Sequence, residues 1–112
     1  TARAMDCPYI WHAHFEYGRK EGLSDILLDA IRDKQPLPPV PSDEAIVIAY
    51  SQELLHNRKV TSETFSHLVN LLGKRGLVEL TTLLGFYTML AFNANAVDLQ
   101  LPEHFSELPL PT

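Results

Sequence analysis

The sequence predicts an all-α fold, and three observations carry that prediction. Apolar residues recur at i, i+3, i+4 and i+7 in successive windows, and no stretch shows the apolar–polar alternation of a half-buried strand. Residues that open and close helices bracket those windows, with Ser24, Ser42 and Thr61 or Ser62 ahead of them and Gly22, Gly73 and Gly76 behind. Pro36, Pro38, Pro39 and Pro41 interrupt the pattern once and force an extended, stiff linker over 36–41, because each restricts itself and the residue before it. About five helices are expected.

The first six residues hold helix-compatible Ala2, Ala4 and Met5 with no cap ahead of them, so the chain reads as beginning inside an element, with N-terminal helices missing. Pro8 suits the first turn of a helix, which makes Cys7 its N-cap and Gly22 its stop; this helix runs from Pro8 to about Glu21. Ser24 caps a second, with Asp25 on its positive end, to about Asp33. Ser42 caps a third, with Asp43 and Glu44 in its first turn, to about Arg58. A fourth starts at Thr61 or Ser62, puts Phe65, Leu68, Val69 and Leu72 on one face, and stops at Gly73 and Gly76. The fifth, Leu77 to about Asn95, is apolar nearly all round and must be covered on most sides, centrally or between subunits. Residues 97–112, with Pro102, Pro109 and Pro111, read as an extended tail lying on a neighbour.

The 112 residues are enough for a single domain with a sizeable core, and 46% hydrophobic with 21% charged residues is ordinary for a globular chain. A net charge of −5 argues against nucleic acid and against anionic membrane surfaces, leaving a small-molecule substrate or protein partners. One cysteine excludes an intramolecular disulfide and fits a reducing compartment. The longest apolar run, Leu80–Val97, is broken by Thr81, Thr82, Asn93 and Asn95, so a cytoplasmic setting is expected.

Chemistry concentrates in Cys7-Pro8-Tyr9-Ile10-Trp11-His12-Ala13-His14, which contains the only Cys, the only Trp and two of five His. Helical spacing puts Cys7, Ile10, Trp11, His14 and Gly18 on one face. A helix N-terminus favours a thiolate at Cys7, whereas a lone cysteine is otherwise a small buried hydrophobe. His14 is the acid/base candidate on that face, against the alternative of a satisfied core or interface imidazole. His12 lies about 200° round the helix, so one of the two faces a pocket and the other solvent or a neighbour, and the pair cannot chelate one metal ion. Glu53 and Glu79 read as solvated or helix-end acids rather than buried ones. No phosphate-binding glycine motif and no nucleophile elbow is present.

The run Cys7 to His14 with Gly22-Leu23-Ser24 resembles the Y-E-W-x-x-H … G-L-S segment of the carboxymuconolactone decarboxylase-like family. Glu53-Leu54-Leu55, Val60-Thr61, Gly76 to Leu80, Leu84 to Leu90, Asn95 and Leu101-Pro102 agree in order and spacing, so the resemblance covers about residues 3 to 103. It implies an alkylhydroperoxidase D-like helical bundle assembled as trimers or hexamers, with sites near subunit contacts. It also implies one of two chemistries: cofactor-free decarboxylation of a carboxylated lactone, or thiol-based peroxide reduction through C-x-x-C-x-x-x-H. That second frame falls on Cys7, Ile10 and His14; Ile10 cannot resolve a disulfide, which excludes a two-Cys cycle within this helix. Ile10 also replaces the family's Glu, and a further acid of the peroxidase branch would lie ahead of Thr1, in a segment or second chain outside this sequence.

The expectation is therefore a lyase-like, cofactor-free acid/base enzyme with no metal. His14 would be its catalytic residue, and Tyr9, Ile10 and Trp11 would line the substrate pocket. A one-Cys peroxidase using Cys7 (peroxiredoxin activity) and a non-catalytic oligomeric partner subunit are the alternatives.

Overall fold

A computed structural model describes residues 1–103, 110 and 111. Those residues form four helices and no strand, so the all-α expectation holds. The helices are α1 (Pro8–Lys20), α2 (Asp25–Arg32), α3 (Ser42–Asn57) and α4 (Ser62–Ala96). The expected fourth and fifth helices are one element, α4, whose helical geometry is broken at Gly73 alone (φ 74°, ψ 173°). Gly73 thus marks the expected break, but the chain resumes helix at once. No loop separates the two halves, and the count falls from five to four.

Three of the four helix ends share one device, while α3 ends on a single bond from the Arg58 N–H to the Leu54 carbonyl. After α1, Gly22 takes a positive φ (94°), its N–H donates to the Arg19 carbonyl, and the Leu23 N–H donates to the Gly18 carbonyl. This double closure satisfies carbonyls that the helix leaves without partners. The same bonds recur around Lys34 after α2 and Asp98 after α4, both non-glycine residues at positive φ. They also recur around Asp6, so residues 2–6 form a turn closed like a helix end. Ser24 caps α2 as expected, accepting from the Leu27 N–H at 3.2 Å. Ser42 is instead the first residue of α3, with Pro41 as its N-cap and no side-chain cap bond. Residues 35–41 are without regular structure, as the prolines require.

The chain divides into two compact units. One comprises residues 40–89 with Thr1, the other 2–39 with 90–112. In the first, Tyr50 of α3, Leu68 from before the break in α4 and Leu84 from after it form a buried cluster, flanked by Ile46, Val47, Leu77 and Leu80. The Tyr50 hydroxyl is paired with Thr81 Oγ1 at 2.7 Å, which satisfies the polar end of a buried aromatic. In the second unit, Trp11 and Phe15 of α1, Leu28 of α2 and Leu110 form the core, with Ala2, Leu23 and Ile31 against it.

The C-terminal tail is non-helical from residue 97 through the described residues. Its Leu110 packs into the Trp11 cluster, while residues 104–109 and 112 lie outside the described residues. By length and hydropathy α4 could cross a membrane, although Leu68, Leu84, Ala91 and Ala94 along it are buried within the protein.

Candidate functional site

Pro8 occupies the first turn of α1, where a missing N–H forfeits no hydrogen bond, and leaves Cys7 as N-cap in an extended conformation (φ −106°, ψ 98°). The segment ahead of it is tied down in three places. The Cys7 N–H donates to the Ala2 carbonyl at 2.9 Å, Asn95 Nδ2–H donates to the Met5 carbonyl at 2.9 Å, and Arg3 Nε–H donates to the Arg32 carbonyl at 2.6 Å. Arg32 is itself forked onto Asp29 and Asp33 at 2.9 Å each, and its hydrogen bond holds the Asp33 carboxyl below the usual carboxylate range. The N-terminus of α1 is therefore a braced position.

Within that frame Cys7, Ile10 and Trp11 of the expected face are buried and His14 is not. Cys7 is 0% exposed and its side chain makes no cap bond. Ile10 and Trp11 are buried, and Tyr9 is half-buried. Trp11 meets Phe15 with ring centroids 5.9 Å apart at 45° and belongs to the core with Leu28 and Leu110. His14, by contrast, is exposed. The buried residues of α1 are Ile10, Trp11, His12 and Phe15, and their mean direction lies roughly 85° round the helix from His14 at 100° per residue. A face drawn through Cys7, Trp11 and His14 misses this, because Cys7 precedes the helix and its burial does not fix the helix's rotation.

His12 is the imidazole that goes inside, at 1% exposure. The sequence contained the signal, a second imidazole directly beside Trp11, and allowed that one of the pair faces inward, but it assigned that role to His14.

The His14 ring is nevertheless oriented. Its Nδ1 lies 3.0 Å from the Ile10 carbonyl oxygen one turn back. A carbonyl only accepts, so Nδ1 carries the proton and, in the neutral ring, the lone pair is on Nε2. Tyr17 meets the same ring edge-on, centroids 5.9 Å apart, and is itself exposed. One turn further, Arg19 lies over the Phe15 ring at 5.6 Å and pairs with Asp25 at 3.0 Å and Glu16 at 3.5 Å. The outer surface of α1 thus presents an imidazole with a defined tautomer beside a phenol.

The two acids considered from the sequence are structural. Glu53, half-buried on α3, accepts from the Thr61 N–H and, at 2.6 Å, from the Thr64 hydroxyl, clamping the start of α4 and lowering its own carboxyl pKa. Glu79 is exposed and paired with Arg75 at 3.0 Å. Among the described residues no three His, Cys, Asp or Glu side chains converge as metal ligands do. A shallow groove of about 370 Å³ lies along α4, lined by Val78, Glu79, Thr82, Leu83 and Phe86, and includes none of the expected site residues.

No family model, no curated protein and no solved structure matches the chain.

Proposed function

We propose that the chain is a cofactor-free acid/base enzyme of the carboxymuconolactone decarboxylase-like kind, acting on a small carboxylated or lactone-like metabolite in a reducing, cytoplasmic setting. The observation that carries this reading is the exposed His14 ring, oriented through Nδ1 on the Ile10 carbonyl. Decarboxylation leaves an electron pair on carbon as carbon dioxide departs; an imidazolium stabilises that charge and then delivers its Nε2 proton to the carbon. Such chemistry needs water excluded, and His14 is exposed in one chain. The reading therefore includes an alkylhydroperoxidase D-like bundle assembled as a trimer or hexamer, in which another copy covers the outer face of α1. Tyr9 and Tyr17 would contact substrate there; Ile10 contributes its carbonyl, and Trp11 supports the helix from behind.

His14→Ala is the test. The residue is exposed, so the fold should be unchanged by circular dichroism, while turnover of a substrate found by screening carboxylated lactones should fall about 10²–10⁴-fold, the usual worth of a positioned general acid/base. Unchanged turnover would remove His14 from the mechanism.

A non-catalytic partner subunit is the second reading, favoured by the exposure of His14 in the single chain. A one-Cys peroxidase is weaker, because peroxide must reach a thiolate and Cys7 has no exposed surface.

A further inference from the structure

We draw no further inference here: the strongest candidate, the exposed apolar face of the second half of α4 around Val78, Leu83 and Phe86, carries nothing because nothing in the structure shows what covers it.

Discussion

His12 and His14 sit two positions apart and meet opposite fates, one at 1% exposure and the other on the surface with its Nδ1 tied to the Ile10 carbonyl. Residue types and helical spacing made α1 the place to look, and the side chains there are the chemically distinctive ones. What spacing could not supply was the rotation of α1 against its core, which is set by Phe15, Leu28 and Leu110 coming from three separate parts of the chain. Cys7 illustrates the same limit. A helix N-terminus favours a reactive thiolate, but the turn over residues 2–6, held by Arg3 and Asn95, accompanies complete burial of the residue. Native protein should therefore leave Cys7 unreacted with a thiol reagent on the timescale on which the denatured chain reacts fully; rapid labelling of the native state would show that the cysteine is accessible after all.

At the scale of elements, the start and stop residues were the most legible part of the sequence. Gly22 and Ser24 end one helix and begin the next as expected, and the prolines over 36–41 leave no helix there. Gly73 and Gly76 were read as the end of one helix and the approach to another. Their actual work is a kink: Gly73 takes a positive φ, and a Cβ on Gly76 would lie 2.6 Å from the Leu72 Cβ. A kink and a short loop have the same sequence signature, because both need residues without a side chain.

The distinction is testable through a pair of substitutions. Gly85→Ala, where a Cβ meets nothing within 4 Å, should raise stability by up to about 1 kcal/mol, the helix-propensity gain. Gly76→Ala should instead lower it by about 1–3 kcal/mol, as overpacking does. Thermal unfolding that ranks the two the other way would mean that the kink is not needed.

At the scale of the molecule, the all-α class was legible because 3.6-residue periodicity runs through the chain, and the apolar second half of α4 marked a surface in need of cover. The bundle type and the identity of a substrate were not legible, since periodicity shows which faces are apolar but not which of them meet. Acid stability is a property of the whole chain that the structure does specify. The Thr64 and Thr61 hydrogen bonds hold the Glu53 carboxyl below its ordinary value of 4.5 in the folded protein. Its contribution is therefore fully present above about that pH and is lost as pH falls through the lowered folded value. Glu53→Gln should lower stability at neutral pH and flatten its decline below pH 4.5, followed by denaturant unfolding as a function of pH. Parallel curves for the two proteins would show that the clamp is not linked to protonation.

The claim on which the functional reading depends is that His14 works through Nε2 because Nδ1–H is committed to the Ile10 carbonyl. Long-range ¹⁵N–¹H correlation NMR of the imidazole side chains at a pH where His14 is neutral tests this without any substrate. The structure predicts an Nδ1–H tautomer for His14, with a lone-pair nitrogen shift at Nε2. An Nε2–H tautomer, or the exchange-averaged pattern of a freely turning ring, would contradict it.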